Sequence, residues 1–360
     1  MAAHFHKLSI RDVRNETADC ISIGFYLPEE LKEAFAFIQG QNITIKVLVD
    51  NQEIRRSYSI CSSPLENELR IAVKKIANGK FSSYADTLRK NALLEILPPT
   101  GKFYTELNPS NKKNYIAFVA GSGITPVISI IKTTLATEPG SSFTLIYGNQ
   151  HRNSIIFKEE LEAIKNRYID RFVLHNILSR EKTDAEINHG RITAAKCEEF
   201  AKIINMRMAD DFFICGPEQM IFTVKDWLER KGIEKKKIHF ELFTVPGQEQ
   251  AGDSRPLAAN EKMVPGKISH ITIKQDGISF NFDLPFDDET ILNAALKQGV
   301  DLPFACKGGV CSTCRAKLIE GEVEMEHNYA LEPDELEKGF ILTCQSHPRA
   351  DRITVDFDIK

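Results

Sequence analysis

The sequence predicts a multidomain protein: an antiparallel β-barrel, then an α/β domain with a parallel sheet, then a smaller α+β domain. Three observations predict this order. The first hundred residues hold short apolar runs between Pro, Gly and Asn, the next 140 alternate strand-like with helix-like segments, and four cysteines cluster near the end. A chain of 360 residues accommodates two or three domains. We place them at residues 1–106, 107–243 and 267–360, with a linker at 244–266.

Composition and charge exclude several functional classes. Hydrophobic residues make up 42% and charged residues 27%, as in soluble globular chains. The net charge of −4 provides no basic field for nucleic acid. The most apolar stretch, residues 115–131, is interrupted by Gly, Ser, Thr and Pro and is too short to span a membrane. The first residues lack a signal-peptide pattern. We therefore expect a cytoplasmic protein with no nucleic-acid or membrane partner.

The first domain is predicted from evenly spaced short strands, which favour a small antiparallel barrel. One helix is expected at residues 82–90. The predicted strands are residues 7–13, 21–27, 43–49, 69–75 and 92–97.

The second domain is predicted from strands that alternate with helices, a pattern typical of βαβ units and a parallel sheet covered on both faces. The predicted strands are residues 115–120, 142–147, 172–178 and 211–214. The predicted helices are residues 127–136, 157–166, 193–204 and 219–231.

The last domain follows a Pro- and Gly-containing stretch without periodicity, residues 244–266, which is typical of a linker. Two strands, residues 268–274 and 278–284, flank Asp276-Gly277 and predict a hairpin. A helix at 290–298 and a final strand at 353–357 complete the pattern. Residues 267–360 carry 10 Lys and Arg against 17 Asp and Glu, a charge of −7, which leaves +3 for the remainder. Opposite charges would attract the acidic domain to the rest of the chain or to a partner.

Four cysteines with the spacing C-x4-C-x2-C-x29-C lie in this acidic domain. They are Cys306, Cys311, Cys314 and Cys344. Three thiolates from one glycine-containing loop and one from a distant strand can enclose a two-iron cluster. A structural zinc site, the alternative, prefers two separated short pairs. The segment resembles plant-type 2Fe–2S ferredoxins. The resemblance implies a β-grasp fold, a one-electron carrier with an acidic docking face, and the four cysteines as iron ligands.

A polar strand in the first domain, Arg56-Ser57-Tyr58-Ser59, carries groups suited to a flavin. Arginine can bind a pyrophosphate with two hydrogen bonds. A tyrosine two residues on projects to the same side and can pack on a planar ring, and the neighbouring serine can hydrogen-bond a ring nitrogen. The alternative is a polar edge strand with no ligand.

Two further segments favour the flavin interpretation. Val73 and Lys74 end one predicted strand, and Gly79 to Ser82 lead into the predicted helix, where backbone N–H groups favour phosphate. In this order the segments resemble the flavin domain of the ferredoxin–NADP reductase family. The resemblance implies that Arg56 binds the FAD pyrophosphate, that Tyr58 packs on the isoalloxazine, and that Ser59 lies near its N5. Gly79 and Ser82 would complete the phosphate site; FMN remains an alternative to FAD.

Two loops of the second domain are suited to a nicotinamide dinucleotide. A strand runs into a turn with Gly121, Gly123 and Thr125, then into a helix, although Pro126 stands where the dinucleotide fingerprint has its third glycine. An ordinary strand–helix turn is the alternative. The second loop begins Cys215-Gly216-Pro217. Both resemble the same reductase family, which implies that Cys215 lies beside the nicotinamide C4 and that Gly216 and Pro217 adjoin it.

The choice of nucleotide is predicted from the end of the third strand. A 2′-phosphate requires Arg or Lys, whereas a ribose 2′-hydroxyl prefers Asp or Glu. Ser179 and Arg180 follow this strand, as in family members that bind NADPH, and Arg191 and Arg152 are further candidate cations. We therefore expect NADPH, with NADH as the alternative.

The order of the three domains resembles the reductase components of bacterial multicomponent oxygenases. The resemblance implies an NAD(P)H-dependent oxidoreductase that passes electrons through FAD and a 2Fe–2S cluster to an oxygenase protein. Ser59 and Cys215 would be its catalytic residues. Two alternatives remain. One is a reductase for a different acceptor, such as another oxygenase, a hydroxylase or a hybrid-cluster protein. The other is an electron-transfer or sensor module with little turnover of its own.

Overall fold

The computed structural model describes residues 4–243, 267–286 and 288–359, so the predicted linker lies outside the described residues. They form two compact units, one of residues 6–54 and 58–242 and one built mainly from residues 267–359. Within these segments, no helix combines the length and the apolar character that a membrane crossing requires.

A six-stranded antiparallel sheet forms the first part of the larger unit, with the order β4-β3-β6-β1-β2-β5. Ile60, directly after β4, bridges to Ile71 on β5, so the two edges of the sheet meet as in a barrel. Apolar side chains of alternating strand positions fill the interior. The elements are β1 (His6–Thr17), β2 (Cys20–Phe25), β3 (Asn42–Val49), β4 (Gln52–Ser59), β5 (Leu69–Lys74), α1 (Lys80–Ala85) and β6 (Leu93–Ile96).

The helix of the barrel is shorter than the predicted 82–90. Beyond Ala85 the backbone forms turns, in which the N–H of Leu88 donates to the carbonyl of Ala85. Asn91 then adopts a left-handed conformation with φ of 70°, which leads into β6. Leu88 is buried although it lies in this turn and not in the helix. Its apolar side chain therefore extended the helix-like sequence pattern beyond the true end of α1.

A five-stranded sheet, in which every neighbouring pair runs parallel, forms the second part of this unit. Its order is β11-β10-β7-β8-β9. The strands are β7 (Asn114–Ala120), β8 (Ser142–Asn149), β9 (Phe172–Leu178), β10 (Asp211–Cys215) and β11 (Ile238–Glu241). The helices are α2 (Ile124–Thr137), α3 (Lys158–Arg167), α4 (Ala194–Ala201) and α5 (Glu218–Arg230). The strand order reverses at β7, and ligands of such sheets bind at the carboxyl ends next to that point.

The smaller unit contains a mixed five-stranded sheet, β13-β12-β18-β14-β16, and a two-stranded one, β15-β17. Strands β12 and β18 pair in parallel, and β12 with β13 forms the predicted hairpin. A core of buried Ile, Leu and Val joins the sheet to α6. The elements are β12 (Ile268–Gln275), β13 (Ile278–Pro285), α6 (Ile291–Lys297), β14 (Arg315–Glu320), β15 (Val323–Met325), α7 (Pro333–Glu337), β16 (Phe340–Leu342), β17 (Ser346–Pro348) and β18 (Arg352–Asp356).

Candidate functional site

The two glycine loops of the parallel sheet are in contact at its carboxyl edge. Strand β7 ends at Ala120, a single 3-10 turn covers Gly121 to Gly123, and α2 begins at Ile124. A Cβ atom on Gly123 would lie 2.2 Å from the carbonyl oxygen of Cys215 and 2.8 Å from the backbone N of Gly216. The sequence separates these loops by about ninety residues, and the sheet register brings their backbones together.

Hydrogen bonds fix the first loop. The Tyr147 hydroxyl donates to the carbonyl of Gly121 at 2.9 Å, and the buried Thr125 hydroxyl donates to the carbonyl of Ser122 at 3.0 Å. The start of the 14-residue helix α2 is thereby held at the carboxyl edge of the sheet. The positive end of its helix dipole makes this edge suited to a diphosphate.

Cys215 ends β10 and is fully buried. It pairs with Glu241 across the parallel register of β10 and β11. Burial, and after it the charge of Glu241, raise the pKa of the Cys215 thiol well above its ordinary value. The side chain is therefore a neutral thiol at physiological pH. Pro217, two residues on, precedes the first turn of α5.

Ser59 of the barrel reaches the same carboxylate. Its buried hydroxyl donates to Oε2 of Glu241 at 2.9 Å. Glu241 thus joins Ser59 from β4 to Cys215 from β10 within one compact unit. Glu241 was not among the predicted site residues, because it lies in a short strand that the sequence analysis did not locate.

Arg56 and Tyr58 lie on one face of β4, because alternate strand residues point the same way. The Tyr58 ring is half-buried and packs against Phe81 of α1, with ring centres 5.1 Å apart. The Arg56 side chain is exposed, and its Nη1 donates to the carbonyl of Arg55 at 2.9 Å. An aromatic surface beside an exposed guanidinium is suited to a flavin with its pyrophosphate.

The predicted phosphate loop is fixed by its own serine. The Ser82 hydroxyl accepts from the N–H of Ile76 at 3.2 Å and donates to the carbonyl of Gly79 at 3.1 Å. A Cβ on Gly79 would lie 2.4 Å from this hydroxyl oxygen, so the loop needs glycine there. Because the Ser82 hydroxyl is hydrogen-bonded to the backbone of the loop, it stabilises the loop conformation. Contacts with a ligand would then come from backbone groups of the loop.

Val73 and Lys74 differ in what they present to this region. The Val73 side chain is buried in the barrel core, so only its backbone is available to a ligand. The Nζ of Lys74 lies 3.5 Å from Oδ2 of Asp19 and 4.0 Å from the position of a Cβ on Gly121. Lys74 therefore places a positive charge between the barrel and the glycine turn.

Ser179 and Arg180 continue from β9 along the end of β8. Their backbone N–H groups donate to the carbonyls of Asn149 and Gln150, each at 2.9 Å. The side chains of Arg180 and Arg191 are exposed. Both cations are accessible to solvent at the carboxyl edge, as binding of a 2′-phosphate requires.

The four clustered cysteines converge in two pairs. Contact with Cys306 lowers the pKa of Cys311 to about 6, and contact with Cys314 lowers the pKa of Cys344. Among the described residues, no group of three or more His, Cys, Asp or Glu side chains is arranged around a single metal ion. A 2Fe–2S centre takes two thiolates on each iron, whereas structural zinc takes all four ligands on one ion. Two pairs of thiols are the arrangement that suits a two-iron cluster.

Backbone geometry in the cysteine loop provides donors to sulfur. The N–H of Gly308 lies 3.3 Å from Sγ of Cys306, and Nε2 of Gln345 lies 3.8 Å from Sγ of Cys344. Gly309 has a φ of 77°, and a Cβ there would lie 2.8 Å from the carbonyl oxygen of His327. Such donors lower the negative charge density on thiolate ligands and so stabilise a bound cluster.

Three family models match successive parts of the chain. The oxidoreductase FAD-binding domain matches residues 7–104, and the oxidoreductase NAD-binding domain matches residues 118–226. The 2Fe-2S iron-sulfur cluster binding domain matches residues 273–349.

Similar proteins match over almost the whole chain. It is 44% identical to a subunit of the 1,2-phenylacetyl-CoA epoxidase of Escherichia coli (strain K12), over 99% of this chain and 98% of that protein. It is 32% identical to the ferredoxin reductase component of 3-ketosteroid-9-alpha-monooxygenase of Rhodococcus rhodochrous, over 97% and 96% of the two chains. The solved structure of phthalate dioxygenase reductase covers 98% of both chains with a TM-score of 0.57. At 23% identity, it shows a shared fold.

Proposed function

This chain belongs to the ferredoxin–NADP reductase family, in the branch that carries a C-terminal plant-type 2Fe–2S domain, and from that premise we propose that it is an NADPH-dependent reductase for an oxygenase component. The acceptor that the relatives favour is the oxygenase of a phenylacetyl-CoA epoxidase. The observation that carries the proposal is the meeting of Ser59 and Cys215 at Glu241. Cys215 and Glu241 end their strands at the same carboxyl edge of the sheet as the turn of Gly121 to Gly123, which is suited to a nucleotide.

Each group has residues that suit it. Arg56, Tyr58, Lys74 and the backbones of Val73 and Gly79 would hold FAD, with Ser82 shaping the loop. Gly121, Gly123, Thr125, Gly216 and Pro217 would form the dinucleotide site, and Ser179 and Arg180 would bind the 2′-phosphate. Cys306, Cys311, Cys314 and Cys344 would hold the cluster. When bound, NADPH supplies a hydride, FAD accepts electrons in pairs and releases them singly, and the 2Fe–2S centre carries one at a time.

The side chains position these groups and exclude water. Ser59 donates a hydrogen bond to Glu241, which orients the hydroxyl and leaves its oxygen lone pairs to accept from a donor on the bound ligand. Cys215 contributes a neutral, polarisable thiol at the end of β10. Both side chains are buried, so bulk water is kept away from the point of hydride transfer.

The proposed domain limits are those expected from the sequence. They are residues 1–106 for FAD, 107–243 for the nucleotide, 244–266 for the linker and 267–360 for the ferredoxin. We also propose a cytoplasmic location, because the four cysteines outside the cluster loop, Cys20, Cys61, Cys197 and Cys215, are thiols, and thiols stay reduced there.

The test is an anaerobic titration of the purified protein with NADPH, and separately with NADH, followed by the visible spectrum. We expect NADPH to bleach the flavin and iron–sulfur bands together, and NADH to do so only at higher concentration. Bleaching of the flavin alone would contradict the electron path. A protein that binds no flavin and no iron would contradict the function itself.

A second measurement tests the acceptor. The reduced protein is mixed with the purified oxygenase component of a phenylacetyl-CoA epoxidase and, as a control, with that of a ketosteroid monooxygenase. We expect substrate-dependent NADPH oxidation only with the first. Coupling to the control alone would assign the chain to a different acceptor.

A further inference from the structure

A carboxylate follows directly after the two residues that are suited to a 2′-phosphate. Glu181 continues the backbone of Ser179 and Arg180, and its side chain turns to Arg152. The backbone N–H of Arg152 donates to Oε2 of Glu181 at 2.7 Å, and the guanidinium Nε lies 3.6 Å from Oε1. The same carboxylate thus receives a hydrogen bond and a neutralising charge from one residue.

This pair stands where nucleotide choice is made. At the end of this strand, a carboxylate that is available to the ligand favours the ribose 2′-hydroxyl of NADH, and a cation favours the 2′-phosphate of NADPH. Arg180 and Glu181 offer both kinds of group side by side. A phosphate with nearly two negative charges that binds to Arg180 would be repelled by the carboxylate of the next residue, Glu181, if that carboxylate were not neutralised. Which nucleotide binds therefore depends on whether Glu181 is neutralised.

We propose that Arg152 is a specificity-determining positioning residue: its guanidinium neutralises Glu181, so that Arg180 can bind the 2′-phosphate. The inference rests on the proposed use of NADPH. Arg152 borders a cleft of about 330 Å³ that Leu178, the last residue of β9, also lines. The Arg152 end of the ion pair therefore faces open space beside the end of β9, whereas Glu181 and Arg180 do not line this cleft. The Arg152 side chain is 63% exposed, so solvent weakens the effect without removing it.

The experiment compares two small probes on the full-length protein by isothermal titration calorimetry. Adenosine 2′,5′-bisphosphate carries the 2′-phosphate and adenosine 5′-monophosphate lacks it, so the ratio of their affinities measures recognition of that group alone. The proteins are wild type, Arg152→Ala, Glu181→Gln and the double variant. Lys158→Ala is the control, because it removes one positive charge from the same cleft.

We expect Arg152→Ala to lower the preference for the bisphosphate roughly fivefold, and more at low salt, because Glu181 loses its counter-charge. Glu181→Gln keeps or increases the preference, and the double variant regains the wild-type ratio. This rescue also shows that the variant lacking Arg152 is folded. Lys158→Ala changes the ratio less than twofold.

Two results would overturn the inference. If Arg152→Ala costs the same factor in the Glu181→Gln background, Arg152 contacts the phosphate directly and does not act through Glu181. If Lys158→Ala costs as much as Arg152→Ala, the effect is one of general charge. A wild-type protein that binds both probes equally is a different result, because it contradicts the proposed use of NADPH, and the inference with it.

Discussion

Cys215 is a thiol that burial keeps protonated. Its pKa lies well above the ordinary value, first because the side chain is fully buried and then because Glu241 carries a negative charge nearby. A thiolate is the nucleophilic form of cysteine, so this residue is chemically inert in the folded protein. Its contribution to the site is its size and its neutrality.

We predict that Cys215 resists alkylation up to pH 9. Since the folded pKa lies above the unfolded one, the neutral thiol stabilises the fold below about pH 9, and this contribution is lost as the pH rises through the folded pKa. Iodoacetamide labelling followed by mass spectrometry should show Cys215 reacting about a hundredfold slower in the native than in the denaturant-unfolded protein. Equal rates at pH 8 would show that the thiol is exposed or ionised.

The hydrogen bond between Ser59 and Glu241 could not be predicted from the sequence. Ser59 and Glu241 are 182 residues apart, and each is ordinary in its own segment. Their hydrogen bond depends on how the barrel packs against the parallel sheet and on the register of β10 with β11. Motifs such as the cysteine loop are local in the sequence and were therefore predictable.

Among the elements, the turn between β7 and α2 depends most on a single residue. Gly123 packs against the backbone of Cys215 and Gly216, with no space for a side chain. The carbonyl of Cys215 belongs to the end of a central strand and cannot move without disturbing the ladder of β10 with β7. The two nucleotide loops are therefore one rigid structure.

We predict that Gly123→Ala destabilises the protein by about 2–3 kcal/mol, because its Cβ would force the two loops apart. Affinity for adenosine 2′,5′-bisphosphate should fall with it. The control is Gly232→Ala, where φ is 82° and no atom lies within 4 Å, so only the left-handed backbone costs about 1 kcal/mol. Urea unfolding and calorimetry measure both variants. If both variants lost the same free energy of unfolding, the close packing of Gly123 against Cys215 and Gly216 would not be the cause of the destabilisation.

Element prediction succeeded where a segment is long and buried. The runs that became β7 to β10 and α2 to α5 were located to within a few residues, because a two-sided parallel sheet makes its strands continuously apolar. Strand β11 was not located by pattern, since it has four residues and three are only partly buried. The end of β4, Arg56 to Ser59, was recognised as a polar strand, whereas its start, Gln52-Glu53, was part of no predicted strand.

At the scale of the whole molecule, the chain divides its chemistry between two compact units. The larger holds the residues suited to the nucleotide and, for the most part, those suited to the flavin. The smaller holds all four cluster cysteines and, over residues 267–360, a charge of −7. The relatives match this chain over nearly their full length, so the match includes the sequences of both units. A defect in one unit should therefore leave the chemistry of the other measurable.

We predict that Cys314→Ser separates the two activities. Cys314 is in contact with Cys344, and a serine there would remove one of the four thiolates that would hold the cluster, so the absorbance and the paramagnetic signal of the reduced cluster should be lost. NADPH-dependent reduction of ferricyanide, which takes electrons directly from a flavin, should stay within about twofold of wild type, because the nucleotide residues belong to a different compact unit from Cys314. Electron transfer to the oxygenase component should fall below detection. Cys197→Ser is the matched control, because this buried thiol belongs to α4 of the nucleotide domain; it should keep the cluster signals. Loss of ferricyanide reduction in Cys314→Ser alone would mean that the flavin site depends on the cluster, and the two units would then have to be treated as one.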